Sequence, residues 1–223
     1  MLKRILLFVF ALALPAMVFA EAGVWEGGKE SGGIRVWTRE VPGSPVRAFK
    51  ASMVVKTTLS GLVNLIQDTE NAKRWVYSTE RIQMVKQDVD KGSFVVRAQM
   101  NFPWPLTDRD VYVAGQVVQD ERSLVVTINS RGVYGPDYPE DPEYVRMPSM
   151  DGTWLFRPLG NGMVEVTMIG HADPGGHIPP GIVNMLLDMT PRKTLEGMRR
   201  LLPEARYQKV PVPQIREPAR AAP

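Results

Sequence analysis

Catalytic and metal-binding chemistry draws mostly on histidine, cysteine, acidic and arginine side chains. This chain of 223 residues has two histidines and no cysteine. His171 and His177 lie six residues apart across a Pro/Gly turn. No H-x-x-x-H spacing or acidic cluster accompanies them, so no metal site is expected. Without cysteine there is no thiolate nucleophile and no disulfide. The sequence has no G-x-S-x-G elbow, and its glycines form no phosphate-cradling loop. Asp108 and Asp110 alternate along an extended stretch, so neither serves the other as acid or base. No catalytic residue is assigned and no cofactor is expected. Arg97 and Arg146 are the candidates for contact with a polar head group at a cavity mouth. Buried inside, either needs Glu165 or a ligand anion as partner.

These groups sit in a chain that reads as strands first and a helix last. Ile34 to Val41 alternates apolar and polar, Pro42-Gly43-Ser44-Pro45 is a turn, and Phe49 to Lys56 is a second strand. Thr58 or Ser60 caps a helix carrying Leu59, Leu62, Val63, Leu65 and Ile66. Ala72, Trp75 and Val76 continue it or start another. Strands follow over Ile82–Val89, Phe94–Met100, Asp110–Val118, Ser123–Arg131, Tyr144–Met147, Thr153–Pro158 and Met163–Ala172. Gly160-Asn161-Gly162 joins the last two. Pro179-Pro180 introduces a long helix, in which Pro191 predicts a kink or restart. Strands grouped before a terminal helix predict an α+β fold, with an antiparallel sheet and helices against one face.

Along these strands one face is dry. Phe94, Val96, Ala98 and Met100 share it, as do Val126 and Ile128, Trp154 and Phe156, and Met168 and Gly170. Arg97, Gln99, Thr127, Asn129, Glu165 and Thr167 fall on the other face, read as wet. Met147 joins the dry set from the short strand. Ile182, Met185, Leu186 and Met189 join it from the last helix. An ordinary core explains such a pattern. A partly hollow interior explains it too, and two details point that way. Ala98, Gly170 and Ala172 are small, and Met185, Met189 and Met198 suit irregular apolar walls. These dry-face residues are therefore the candidate cavity lining.

Two motifs frame this region. Phe102-Pro103-Trp104-Pro105-Leu106-Thr107-Asp108-Arg109-Asp110 lies between strands. Asp173-Pro174-Gly175-Gly176-His177-Ile178-Pro179 leads to Asn184 in the last helix. Read from the residues, Pro103 stiffens a connection, Arg109 and Asp110 make local bonds, and the Asp173–Gly176 turn is a hinge. With Tyr144–Met147 and Asp151–Pro158 between them, the ordered set resembles the steroidogenic-acute-regulatory-related lipid-transfer (START) domain family, of a secreted bacterial type. The resemblance spans roughly residues 34–202. It implies a helix-grip fold, in which a curved antiparallel sheet wraps the C-terminal helix around an internal apolar cavity. It also implies a lipid ligand, often a sterol or phospholipid. Carriers or sensors need few polar groups in the cavity, whereas the cyclases and hydrolases of related folds need a positioned acid–base pair. No such pair is visible, so a non-enzymatic lipid carrier is expected, with a helix-grip enzyme as the alternative.

The first twenty residues read as a secretory signal peptide: Lys3-Arg4, an apolar run from Ile5 to Leu14, and a Val-Phe-Ala cleavage site ending at Ala20. The run is too short for a membrane span. Loss of Lys3 and Arg4 takes the formal net charge from +3 to +1. That near-neutral balance argues against nucleic acid as a partner. The expected product is a monomer that is exported, periplasmic or else secreted, and touches membranes transiently. Residues 21–33 read as a flexible lead-in, in which Val24 and Trp25 can start a short helix. Residues 203–223 read as a Pro-rich disordered tail whose deletion leaves stability unchanged.

Overall fold

The computed structural model describes residues 23–219. The signal-peptide reading of residues 1–20 lies outside the described residues. Ten strands form one sheet; nine follow the order β1-β2-β3-β10-β9-β7-β6-β5-β4, and β8 pairs with β6 off this path. They are β1 (Glu26–Ser31), β2 (Ile34–Arg39), β3 (Ala48–Lys56), β4 (Thr79–Asp88), β5 (Ser93–Met100), β6 (Arg109–Gln119), β7 (Val126–Val133), β8 (Val145–Arg146), β9 (Ser149–Gly160) and β10 (Met163–Asp173). All pairs are antiparallel except β8, which runs parallel to β6 beyond the end of β7. The helices are α1 (Leu59–Gln67), α2 (Pro180–Leu201) and α3 (Ala205–Gln208), with a 3₁₀ turn over Thr69–Arg74. This is the α+β arrangement that the residue pattern implies and the helix-grip fold that the resemblance implies.

Register explains why the sheet buries one face. Ile34, Met53, Val166, Phe156 and Val126 are aligned across five strands. None is more than 2% exposed. A one-residue slip anywhere would turn such a row to solvent, so burial fixes the pairing. The C-terminal half of α2 seals this row with Leu195, Met198, Leu201 and Leu202, together with Leu59, Leu62 and Leu65 of α1. Thr58 caps α1 by accepting from the Gly61 N–H at 2.9 Å. Gly197 lets α2 approach the chain at Trp75. A Cβ there would lie 2.5 Å from the Trp75 carbonyl oxygen.

Three expectations need correction. The lead-in from residue 26 is strand β1, paired with β2 from Glu26–Thr38 to Ser31–Ile34. Its glycines hide the alternation. Pro191 does not restart the helix, because α2 runs unbroken through it. Instead it marks a change in packing: Gly181 to Thr190 contains no buried residue, whereas Pro191, Thr194, Leu195, Gly197 and Met198 are buried. The segment from 203 to 219 is packed. Tyr207 is 1% exposed and Ile215 8%. The Glu217 carboxylate accepts the Leu59 and Ser60 N–H groups at 3.0 and 2.7 Å, at the start of α1. Such a cap satisfies donors that a helix leaves free.

Candidate functional site

Under the front half of α2 lies an apolar cavity of about 150 Å³. Met100 of β5, Met147, Ala172 of β10 and Leu186 of α2 line it. Phe49, Phe102, Val46, Tyr77, Val183, Leu187 and Pro174 complete the apolar wall, with Arg47, Ser78, Asn101 and Thr190 as its polar part. It opens beside an outer groove of about 560 Å³ between the 40–47 loop and α2. Val46, Arg47, Val183 and Leu187 belong to both. Arg47 is held at this mouth by Glu26 at 2.6 Å and by the Thr38 hydroxyl at 3.2 Å.

Of the expected lining, Met100, Met147 and Leu186 meet in this cavity. Phe94, Val96 and Ala98 do not line it; they pack with Val111, Val113 and Met147 in a core cluster on the inner sheet face. Val126, Ile128 and Phe156 do not line it, being sealed in the main core at no more than 1% exposure. Trp154 packs on Trp75, ring centroids 6.2 Å apart, and on Phe156 at 6.3 Å. Met168 lies beside Trp154 in register. Gly170 is no sign of a hollow, because the Phe49 ring covers it. A Cβ there would fall 2.5 Å from that ring. Ile182, Met185 and Met189 lie on the loosely covered half of α2 and do not line the cavity; Met185 is 40% exposed. The residues missed include Val46 and Phe49, which the turn at 42–45 delivers, Tyr77 and Phe102, and Val183 and Leu187, one helical turn apart on α2.

The two sequence motifs meet at the rim. Arg109 is 2% exposed. Its guanidinium donates to the Pro174 and Gly175 carbonyls, both at 3.2 Å, and to that of Thr107. It also lies over the Phe102 ring, 4.4 Å from the centroid. Burial lowers its pKa from the usual arginine value. Asp108 accepts the Phe102 N–H at 2.8 Å, and Asp173 accepts that of Gly175 at 2.8 Å. Gly175 and Gly176 have φ of +67° and +69°, which favours glycine there. Pro103 stiffens the same connection.

Arg97 and Arg146 do not reach the cavity. They alternate with its lining and emerge on the opposite face, around the fully buried Asp110. Arg146 grips Asp110 through two bonds of 2.8 and 3.1 Å, and Arg97 does so at 2.9 Å. Arg97 also holds Asp141 at 2.9 Å, while Arg146 donates to the Tyr138 and Pro139 carbonyls. Both guanidiniums lie over the Tyr112 ring. Burial opposes the charge on Arg97, but bonds to Asp141 and Asp110 prevail and its pKa is raised. These side chains anchor the 134–144 segment, so the face read as wet is covered here, and Gln99 is buried. Glu165 pairs with Arg157. His171 Nε2 lies 3.0 Å from the Ser44 hydroxyl, which ties the 40–47 loop to β10. Among the described residues no group of three histidine, aspartate or glutamate side chains is placed to hold a metal.

The chain matches the START domain over residues 13–206, most of its length. It belongs to the START domain family. An uncharacterized protein of Pseudomonas aeruginosa is 29% identical over 193 residues, covering 83% of this chain and 93% of that protein. Bovine phosphatidylcholine transfer protein is 28% identical over 179 residues, covering 78% of this chain and 80% of that one. A crystal structure of a STAR-related lipid transfer protein from Xanthomonas axonopodis superposes with a TM-score of 0.73 at 28% identity. It covers 81% of this chain and 99% of that one. Two of the motifs named from sequence, around Arg109 and around Asp173–Gly176, build the rim of the cavity.

Proposed function

We propose that this START protein is an exported, soluble carrier or sensor that encloses one lipid between α2 and the sheet. The observation that carries this reading is the apolar cavity beneath a helix half that contains no buried residue. At about 150 Å³ the cavity is smaller than the roughly 300–1,000 Å³ of ordinary ligand sites. A lipid therefore enters by moving the front half of α2 outward, while the half beyond Pro191 stays in the core. The bovine relative's name favours a phospholipid such as phosphatidylcholine. A zwitterionic head group also suits the wall, where Arg47 is the sole charged side chain and is already paired with Glu26. Membrane contact is transient and includes the rim. Trp104, 92% exposed on the connection held by Arg109, is placed to enter the bilayer interface. The signal-peptide reading of residues 1–20 supports work in the periplasm, or else outside the cell, as a monomer without catalysis.

Native mass spectrometry of protein taken from the periplasm tests this reading. One co-purifying apolar adduct, exchangeable with labelled phosphatidylcholine from vesicles, is expected. A ligand-free protein that takes up no labelled lipid sinks the carrier reading.

A further inference from the structure

On the outer face of β1–β3, cations and indoles alternate. The Arg39 guanidinium lies 4.6 Å from the Trp25 ring centroid. Lys50 Nζ lies between two indoles, 5.1 Å from Trp25 and 4.5 Å from Trp37. Arg35 ends the series, 5.9 Å from Trp37. The close approach of β1 is built in, since a Cβ on Gly28 would sit 2.6 Å from Trp37 Nε1. Arg35 pairs with Glu30 at 2.7 Å. Arg39 and Lys50 have no carboxylate within ion-pair distance among the described residues, and Arg39 Nε is buried without a hydrogen-bond partner.

Solitary cation–π contacts are common, but here two unanswered cations and two amphipathic rings form one array. The array also borders the cavity mouth: the 40–47 loop of the groove leaves β2 directly after Arg39 and leads into β3 just before Lys50. We infer that this face docks on a bilayer bearing anionic phosphate head groups. Arg39 and Lys50 meet the phosphates, and Trp25 and Trp37 lie at the interface. The inference rests on the lipid-carrier reading only for its purpose, which is to bring the mouth to a membrane.

Vesicle co-sedimentation tests it. Phosphatidylcholine vesicles with and without phosphatidylglycerol are compared at low and high salt. Wild type should prefer the mixed vesicles, and salt should abolish the preference. The double variant R39Q/K50Q should bind mixed vesicles roughly thirtyfold more weakly, and R39K/K50R should restore most of the loss. Lipid content by native mass spectrometry should not change in R39Q/K50Q, which separates failure of docking from failure of the carrier reading. Equal binding by R39Q/K50Q and wild type overturns the inference, as does no preference for the mixed vesicles. Inorganic phosphate that binds the wild type and displaces it from vesicles at matched ionic strength also overturns it, by making the array a free-anion site.

Discussion

Arg109 Nε donates to the Pro174 carbonyl at 3.2 Å, so a single side chain joins the β5–β6 connection to the turn that starts α2. The two motifs are remote in sequence and adjacent in space. A guanidinium can serve several carbonyls at once because its donors are fixed in a planar fork. Both sides of the cavity rim are therefore held by one buried group that, among the described residues, has no carboxylate partner in hydrogen-bond contact.

Replacing Arg109 with alanine leaves the Pro174, Gly175 and Thr107 carbonyls without this donor. Stability should fall by about 3 kcal/mol, as expected for buried bonds to a charged group. Arg109→Lys should recover only part, since one ammonium cannot reproduce the fork. Urea unfolding of the three proteins checks the order. Equal midpoints for wild type and Arg109→Ala would show that the joint carries no stability.

Asp110 is the buried carboxylate between two guanidiniums, so Asp110→Asn should cost about 3–5 kcal/mol, the range for a broken buried ion pair. Asp141 contributes to the acid limb. The Arg97 guanidinium and the Glu143 N–H hold its carboxyl below the usual aspartate value. A depressed folded value means that the stability is present above the unfolded pKa of about 3.9 and lost as pH falls through the folded one. Asp141→Asn should flatten the acid end of a stability–pH curve. An unchanged slope there would refute this role.

Legibility followed sequence separation. The strands and the buried face were readable because alternation is local, as in the row Ile34, Met53, Val166, Phe156 and Val126. Strand β1 was hidden because its glycines carry no pattern. The fate of Arg97 and Arg146 depends on Asp110 arriving between them from another strand, which no spacing rule reveals. Gly170 looked like empty space until Phe49 on the adjacent strand filled it. At the rim the motifs were readable, but their joining through Arg109 was not.

Gly197→Ala separates space from helix propensity. On an open helix surface alanine is favoured over glycine by about 1 kcal/mol. Here the new methyl would meet the Trp75 backbone at 2.5 to 3.0 Å, which cannot rotate away. Net destabilisation of about 1–3 kcal/mol is expected from overpacking. A rise in melting temperature would show that α2 does not press on Trp75.

The Tyr207 hydroxyl donates to Asp68 at 2.8 Å. Burial first, and the bond to Asp68 second, push its pKa up to about 12. A raised folded value means that its contribution is complete below the unfolded pKa of about 10 and is lost as pH climbs through 12. Tyr207→Phe should lower stability at neutral pH by about 1 kcal/mol and remove this part of the alkaline loss. Denaturant midpoints at neutral and alkaline pH check both. A mutant that loses stability with alkali as steeply as wild type would place the titration elsewhere.

Deleting 204–223 now has the opposite expectation from a disordered tail. The truncation removes Tyr207 and Ile215 from the core, and each fully buried apolar side chain is worth about 1.5–3 kcal/mol. It also removes the Glu217 carboxylate from the first N–H groups of α1, a cap worth about 1 kcal/mol. Further bonds go with it: Val210 accepts from Asn64, and the Arg216 N–H donates to Gln119. The prolines do not prevent this packing, because an extended strap needs few backbone donors of its own. A loss of about 4 kcal/mol or more is expected from Tyr207, Ile215 and the cap together. Glu217→Gln isolates the cap: the amide keeps one acceptor but loses the charge at the helix start, so a loss of about 0.5–1 kcal/mol is expected. Thermal melts of the full chain, the truncation and Glu217→Gln rank the contributions. A truncated protein that melts with the full chain would return the segment to the status of a loose tail.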